Sequence, residues 1–521
     1  MGIPIPAFGE VNYAETVSNR NTRIVNISDA DVQMFDAYLK KLEECGYSLE
    51  EQRSCGQNRY AAFKKENTGI FLNYYDALAE LNIAIEENCG YFSFDAQEGA
   101  PIVSPQITQV HLVDFGMSYA IRLSDGRFIV IDGGWGFEPE VQELYRVLKE
   151  GTPSGKPVIA AWFLTHPHRD HHLCFAEFLL RYPEDVVIEK LLMNYPEPDD
   201  LEHYPEMIRE DWRVADTATI NRVPRMMNTV SKLGIPVFEP HSGQVYRIGD
   251  AVCEILSCMD DTILISSSIN PTSLVIRMEL GGQVILWTAD AAFSTCRLAE
   301  RYGSYLKSDI MQIPHHGFQS GTAEAESAGD DLVKPEICFL PVADIHAYTA
   351  ICTYREGSRY MMTKAGVKEL ITGDETRTIT LPYIPPAWAA EELRKNYLSG
   401  LDNSGAKTWV FTDLDTSRPD DFVFSFLNMT NFTAEIMIDI YFDVPDRNLS
   451  YIQATVPKRS IKRLCIIDKN DVLPNAVWFN WEKLEEKGIP ENASFAVRFM
   501  SNCPVVISHK NHSASYTSPN R

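Results

Sequence analysis

The length and composition of this chain exclude several classes of protein. With 521 residues, 45% of them hydrophobic, it is long and apolar enough to fold around two or three separate cores. Its formal net charge of −25 repels polyanions, which argues against long nucleic acid as a partner. No run reaches the roughly 20 apolar residues of a membrane helix, and the first residues lack the pattern of a secretory signal. We therefore expect a multidomain cytoplasmic protein that does not enter a membrane.

The first region, residues 1–103, has the pattern of a small α+β domain. Apolar residues recur at helical spacing over residues 31–45, after Ser28 and Asp29 and before Gly46, which predicts one helix. Three runs with the composition of strands follow, at residues 59–64, 70–73 and 81–86. We find no catalytic cluster in this region.

The second region, residues 104–385, alternates apolar strands with amphipathic helices, which is typical of layered α/β construction. Its predicted strands lie at residues 109–115, 119–123, 128–132, 158–164, 252–256, 273–280, 283–288, 310–314, 337–341 and 376–381. Its predicted helices lie at residues 138–149, 173–181, 223–233, 294–302 and 357–365. All of the clustered histidines of the chain fall in this region.

The third region, residues 405–521, has short alternating runs separated by turn residues, a pattern that predicts a β-sandwich. The predicted strands lie at residues 422–427, 435–442, 464–468 and 495–499. The runs at 501–509 (Ser-Asn-Cys-Pro-Val-Val-Ile-Ser-His) and 428–434 resemble the small β-sandwich of the sensory rhodopsin transducer family. This resemblance implies an interaction module, so we expect a homo-oligomer formed through this region.

A run of four histidines and one aspartate lies in the middle of the second region. Residues 158–164 are apolar without a break, which predicts a buried strand, and Pro167 keeps the following residues out of a helix. Because residues two apart share a face in an extended segment, His166 and His168 can converge on one ion. The next two candidates are Asp170 and His171, at the turn into the following helix, where the chain can aim both at a second ion.

Two other strand ends supply further candidate ligands. Asp290 follows the strand predicted at 283–288, where a carboxylate can bridge two ions, and His315 and His316 follow the strand predicted at 310–314. We expect one of these two histidines to be a ligand. Imidazole and carboxylate ligands suit zinc, and a carboxylate-rich pair of sites also admits manganese, so we expect two divalent ions of these kinds.

The order of these residues resembles a known superfamily. His-Pro-His-Arg-Asp-His at 166–171 matches the signature His-x-His-x-Asp-His of the metallo-β-lactamase superfamily. Ile-Val-Ile-Asp-Gly-Gly at 129–134 resembles its first motif, and Thr-Ala-Asp-Ala at 288–291 resembles the motif of its bridging aspartate. Ile-Pro-His-His-Gly at 313–317 resembles the motif of the branch that includes the competence protein ComEC and the phosphorylcholine esterases.

The resemblance covers about residues 104–385 and implies an αββα sandwich. It implies a set of metal ligands that comprises His166, His168, Asp170, His171, Asp290 and His315. His316 would lie near the scissile bond or exchange roles with His315, and Asp132 would orient the histidine run, although a plain turn residue fits its position equally well.

The chain also departs from the superfamily pattern. Asn270 occupies the place where many members have a histidine before the bridging aspartate, and His346 resembles a pocket histidine of the same branch. We expect both to lie in the pocket. By contrast, His241 is expected to be structural or solvent-facing. The segment 194–218, rich in Glu, Asp, Pro and Tyr, is expected to form a lid or rim over the site and, with Trp135, to set specificity.

These residues point to hydrolysis of a phosphodiester or phosphate ester in a small substrate. In that interpretation Asp170 and Asp290 position a hydroxide generated by the two ions, and His316 or a metal-bound water protonates the leaving oxygen. Two alternatives stay open at this stage. The same centre could hydrolyse an amide, lactone or thioester, or the domain could be a non-catalytic, metal-stabilised scaffold.

Overall fold

The computed structural model describes most of the chain. The described residues are 10–16, 22–90, 101–113, 115–153, 155–202, 210–262, 268–318, 329–342, 366–393, 408–428, 433–444, 448–458, 460–465, 489–490, 492–501 and 505–509. Within these ranges, no helix combines the length and the apolarity needed to cross a membrane. The described residues up to 342, together with 366–386, form one compact unit, and those from 387 onward form a second.

An antiparallel sheet with one helix opens the first unit. Its strands, placed in the order β1-β2-β6-β5-β4-β3, are β1 (Glu10–Thr16), β2 (Thr22–Ser28), β3 (Ser48–Cys55), β4 (Asn58–Lys65), β5 (Thr68–Tyr75) and β6 (Glu80–Glu86). Helix α1 (Val32–Glu44) begins where the Asp31 side chain accepts a hydrogen bond from the Met34 amide at 2.7 Å. It buries Phe35 and Leu42 against one face of the sheet. The predicted small α+β region is therefore present.

The opposite face of this sheet packs on the central α/β core. The Arg53 guanidinium lies 2.8 Å from the Glu254 carboxylate, and Asn73 donates a hydrogen bond to the carbonyl of Ser242 at 2.6 Å. Gly243 has a φ of +89°, and a Cβ atom there would overlap the Tyr60 ring. These polar and close contacts join the N-terminal sheet to the core.

Two sheets face each other in the core. The first has the order β13-β12-β10-β9-β8-β7-β21, with β11 also paired to β10. Its strands are β7 (Gln106–Gln109), β8 (Ser118–Arg122), β9 (Phe128–Asp132), β10 (Val158–Leu164), β11 (Val187–Ile188), β12 (Leu191–Met193), β13 (Val237–Phe238) and β21 (Arg377–Thr380). The second, in chain order, comprises β14 (Val245–Ile248), β15 (Ala251–Ser257), β16 (Val275–Leu280), β17 (Gln283–Trp287), β18 (Ile310–Gln312), β19 (Ile337–Leu340) and β20 (Glu369–Thr372).

Helices cover the outer faces of these sheets. Helices α2 (Glu138–Gly151), α3 (Arg169–Arg181) and α6 (Val223–Leu233) pack their apolar sides on the first sheet. Helix α7 (Leu298–Tyr302) lies against the second, where the Tyr302 hydroxyl donates to the carbonyl of Leu256 at 2.5 Å. Helices α4 (Pro198–Glu202) and α5 (Glu210–Ile220) belong to the segment between β12 and α6. The αββα core expected from the sequence is thus confirmed.

Several predicted elements differ in extent. In place of the strand predicted at 109–115, the structure has β7, which ends at Gln109. Val110 and Leu112 alternate like strand residues but lie in the loop after β7, where Leu112 packs against Gly134. Helix α3 begins at Arg169, four residues before its predicted start. The helix predicted at 294–302 is confined to α7, and the one predicted at 357–365 lies outside the described residues.

The second unit is a β-sandwich, as predicted. Its described strands, in chain order, are β22 (Thr408–Asp415), β23 (Val423–Asn428), β24 (Ala434–Phe442), β25 (Leu449–Val456), β26 (Ser460–Cys465), β27 (Ser494–Ser501) and β28 (Val506–His509). Strands β22-β27-β24-β25 form one sheet and β26-β23-β28 the other, with an apolar core that includes Phe424, Ile438 and Phe499. Helix α8 (Ala387–Leu393) also belongs to this unit. The domain boundaries inferred from the sequence, at residues 1–103, 104–385 and 405–521, stay predictions.

Candidate metal centre

The candidate ligands lie where strands of the two core sheets end. Strand β10 leads into the extended residues 165–168, and strands β17 and β18 lead to Asp290 and to the turn Pro314–Gly317. Because β9 and β10 run parallel in one sheet and β17 and β18 run parallel in the other, their carboxyl ends gather the side chains at one edge. Two groups of side chains form there and share Asp290.

The first group comprises His166, His168 and Asp290, whose candidate ligand atoms lie within 4.8 Å of one another. His166 Nε2 is 3.0 Å from His168 Nδ1 and 3.5 Å from Asp290 Oδ2. His315 lies beside this group, with its Nε2 3.9 Å from Asp290 Oδ2 and 3.3 Å from Asn270 Nδ2. Burial lowers the pKa of His166 to about 3 and that of His315 to about 4, so both rings are neutral at pH 7.

The second group comprises Asp170, His171, Asp290 and His316, and all four are buried. His316 Nε2 lies 3.1 Å from Asp170 Oδ2 and 3.3 Å from Asp290 Oδ1. His171 Nε2 lies 3.3 Å from the same Asp290 oxygen and 3.2 Å from His316 Nε2. The two oxygens of Asp290 therefore face one group each, the arrangement expected of a bridging carboxylate.

The second group requires positive charge. Burial alone would lower the pKa of His171 and His316, but the Asp290 and Asp170 carboxylates outweigh it and raise both, His316 to about 9. Burial would raise the pKa of the two carboxyl groups, but the imidazoles hold both below their ordinary values. Carboxylates and imidazole nitrogens this close are stable only with protons or a cation between them.

A divalent ion fits these residues. Asp290 Oδ1 is buried and has no hydrogen-bond partner among the residues that the structure describes, although two imidazole nitrogens face it. An orphaned buried oxygen of this kind is costly unless something binds it. Neutral imidazole and carboxylate are ligands that zinc and manganese both accept. The donor set thus suits a divalent cation in each group.

Asp132 holds the second group in place. Its Oδ2 lies 2.7 Å from His171 Nδ1 and accepts a hydrogen bond from the Thr165 hydroxyl at 2.7 Å, while its Oδ1 accepts from the Thr165 amide at 2.8 Å. With Nδ1 donating to this carboxylate, His171 directs the lone pair of Nε2 at the group. Asp132 is fully buried, so this contact is not shared with solvent. Thr165, which carries no signal in the sequence, connects Asp132 to the histidine run.

The turn after β18 decides which histidine enters which group. His315 and His316 both have positive φ angles, +49° and +53°, and Gly317 follows at +77°. These left-handed conformations turn the two rings apart, His316 into the second group and His315 toward Asn270. Asp132 and Ala289 also have positive φ. Backbone strain of this kind is concentrated at functional sites.

Two further features border the groups. The Asp216 carboxylate on α5 lies 3.7 Å from His168 Nε2, which the sequence alone could not indicate. Phe115 contacts His316, Trp135 and Phe318, with ring centroids 5.5 to 5.6 Å apart, and the Trp135 indole donates to the Phe115 carbonyl at 2.6 Å. His346, expected in the pocket, lies outside the described residues.

Comparisons with known proteins agree with this geometry. Residues 112–337 match the family model of the metallo-beta-lactamase superfamily. This indicates a metal-dependent hydrolase. No curated protein matches the chain.

Similar solved structures cover different shares of the chain. Igni18, a metallo hydrolase from the archaeon Ignicoccus hospitalis KIN4/I, is 12% identical over 54% of this chain and 100% of its own, with a TM-score of 0.32. The Anabaena sensory rhodopsin transducer is 23% identical over 21% of this chain and 84% of its own, with a TM-score of 0.15. The structure described as Thermotoga maritima 1070 is 20% identical over 22% of this chain and 93% of its own, with a TM-score of 0.14.

Proposed function

We propose that this protein is a binuclear metal-dependent hydrolase that acts on a phosphodiester or phosphate ester. The observation that carries the proposal is the position of Asp290, whose two oxygens face two separate groups of imidazole and carboxylate ligands. The His-His-Gly motif at 315–317 supports a relationship to the ComEC and phosphorylcholine esterase branch.

Each group would hold one divalent ion. His166 and His168 would bind the first ion, with His315 beside them, and the remaining residues of the second group would bind the other. The sequence left two alternatives, one with His315 as the ligand and His316 as the proton donor, and one in which they exchange roles; we propose the second for the ligand position. Because His316 Nε2 faces Asp170 and Asp290 directly, we assign it to the second ion.

The ions themselves support an anionic substrate. Two divalent ions would bring four positive charges, which the carboxylates of Asp132, Asp170, Asp216 and Asp290 balance, but the ions would be the groups that meet a substrate oxygen. A negatively charged phosphoryl oxygen suits such ions better than the carbonyl of a neutral amide. A divalent pair would lower the pKa of a bound water toward about 7 and polarise a phosphoryl oxygen.

The aromatic residues beside the second group supply a surface for the rest of the substrate. Phe115, Trp135 and Phe318 form an edge-to-face set next to His316. Flat apolar faces favour a substrate whose leaving group is itself aromatic or apolar. We therefore propose an ester of phosphate with such a leaving group.

Reconstitution with metal tests this proposal. Protein stripped with chelator and reloaded with zinc or manganese is expected to hydrolyse bis-p-nitrophenyl phosphate or p-nitrophenyl phosphate, and Asp290→Asn is expected to abolish the activity. Glu279→Gln is the matched control, since Glu279 is an exposed carboxylate on β16. Hydrolysis of nitrocefin or of acyl thioesters without any phosphate ester would favour the amide, lactone or thioester alternative. Binding of metal with no hydrolysis at all would favour the scaffold alternative.

A further inference from the structure

A carboxylate from helix α5 reaches the first group from outside the superfamily motifs. Asp216 Oδ1 lies 3.7 Å from His168 Nε2, and the Asp216 side chain is only 15% exposed. On the other side of the same ring, His168 Nδ1 lies 3.0 Å from His166 Nε2. The imidazole of His168 thus stands between a carboxylate and the first group.

We propose that Asp216 is a positioning residue of the metal centre. Its carboxylate faces His168 Nε2 and favours the tautomer with the proton on that nitrogen, so that Nδ1 is the nitrogen that binds the first ion. The inference rests on the proposed function, because it needs an ion in the first group. It assigns helix α5 a part in positioning a metal ligand, beyond the lid or rim expected from the sequence.

The position of Asp216 is fixed by packing. Ile220 of α5 and Leu201 of α4 are buried in an apolar cluster with Ile269. Asp216 Oδ2 accepts a hydrogen bond from the Ile269 amide at 3.3 Å, and Asn270, which lies beside His315, is the next residue. One carboxylate therefore connects helix α5, His168 and the segment before Asn270.

The second group provides a template for this role. There, Asp132 binds Nδ1 of His171 and leaves Nε2 for the group, and the carboxylate orients the ring and strengthens it as a ligand. At His168 the same relationship is reversed, with the carboxylate at Nε2 and Nδ1 left for the group. The centre then has one carboxylate–histidine pair for each ion, supplied by β9 and by α5.

Metal titration of single variants tests the role of Asp216. Metal-free protein is titrated with zinc against a chromophoric chelator, which resolves the two binding steps. Asp216→Asn is expected to weaken one step by about 10- to 100-fold and leave the other unchanged, and Asp216→Glu to restore part of the loss. Glu210→Gln, at an exposed carboxylate on the same helix, is expected to bind both ions like the wild type.

The outcomes separate this inference from the proposed function. Two ions bound by the wild type and equally well by Asp216→Asn would overturn the role of Asp216 alone. A wild type that binds no zinc would overturn both. Thermal melting of the metal-free variants monitors the fold. If Asp216→Asn is less stable than Glu210→Gln, the Asp216→Glu variant separates a structural role from a positioning role. Normal stability of Asp216→Glu without any recovery of the weakened zinc-binding step would contradict the positioning role.

Discussion

Two clusters in the first unit place carboxylates around buried histidines but differ in how completely these groups are hydrogen-bonded. In the cluster of Glu239, His241 and Asp260, each imidazole nitrogen has its own carboxylate, with Nδ1 2.5 Å from Asp260 and Nε2 3.0 Å from Glu86. The ring also stacks on Phe71 at 4.5 Å. This histidine is a satisfied link between the N-terminal sheet and the core.

In the second group of the metal centre, by contrast, the hydrogen bonding of the same kinds of group is incomplete. His171 Nε2 and His316 Nε2 face each other at 3.2 Å, and Asp290 Oδ1 between them lacks a hydrogen-bond partner in the described part of the chain. The histidines of both clusters are buried, and both clusters satisfy the spacing of a metal site. The comparison shows that hydrogen-bond satisfaction, more than residue type or burial, separates a structural histidine from a candidate ligand.

The largest effect is expected from removing a ligand of the second group. His316→Ala should reduce kcat/KM for a phosphodiester by about 1000-fold, because a metal centre supplies several kcal/mol of transition-state stabilisation. Metal analysis should then find about one ion fewer per chain. His315→Ala is the comparison variant and should retain both ions. If His315→Ala loses an ion and His316→Ala retains both, His315 is the ligand, as the resemblance implies.

Removing the satisfied histidine should instead affect stability. His241→Gln leaves Glu86 and Asp260 facing each other in a buried site, so the free energy of unfolding should fall by about 3 kcal/mol. Urea unfolding measures this, and the metal content should not change. The exposed pair Lys368–Glu336 gives the control, since Lys368→Gln should cost about 1 kcal/mol or less. A loss of bound metal in His241→Gln would break the distinction between the clusters.

The satisfied cluster also predicts a dependence on pH. Burial alone lowers the pKa of His241, but the Asp260 and Glu86 carboxylates outweigh it and raise the pKa well above 6.5. Its contribution to stability is therefore complete below about pH 6.5 and is lost as the pH rises through the folded pKa. Urea unfolding of metal-free protein between about pH 6 and 10 should show a steeper decline for the wild type than for His241→Gln. Parallel declines would contradict this assignment.

The smallest effect concerns the aromatic surface. Phe115→Leu keeps the apolar volume but removes the flat face beside His316, so KM for an aryl phosphodiester should rise by about 5-fold while that for an alkyl diester changes little. Val113→Ala, at an exposed residue of the same loop, is the control. Equal changes for aryl and alkyl esters would count against an aromatic leaving group.

The sequence predicts the parts of the molecule that local patterns encode. The strands at 128–132 and 158–164 match β9 and β10 to the residue, because their unbroken apolar runs are bounded by turn residues. The edge strand β3 was not predicted, because its sequence Ser-Leu-Glu-Glu-Gln-Arg-Ser-Cys is largely exposed and has no regular alternation. The candidate ligands from His166 to His171 are contiguous, so their proximity follows from the chain itself.

Other parts of the site depend on tertiary structure. No local pattern sets Asp216 apart from other acids of its segment, and only the packing of α5 on Ile269 brings it to His168. The roles of His315 and His316 depend on two consecutive left-handed residues, a conformation that adjacent histidines do not signal. The partners of His241, Glu86 and Asp260, are brought to it by tertiary structure, so the sequence could not show whether both of its ring nitrogens are hydrogen-bonded.

Anomalous diffraction at the zinc edge, from crystals of the zinc-loaded protein, tests the central claim most directly. We expect two peaks, one in the first group and one in the second, both in contact with Asp290, and no peak beside His241. A single peak, or zinc bound between Glu239, His241 and Asp260 in place of the Asp290 site, would contradict the account.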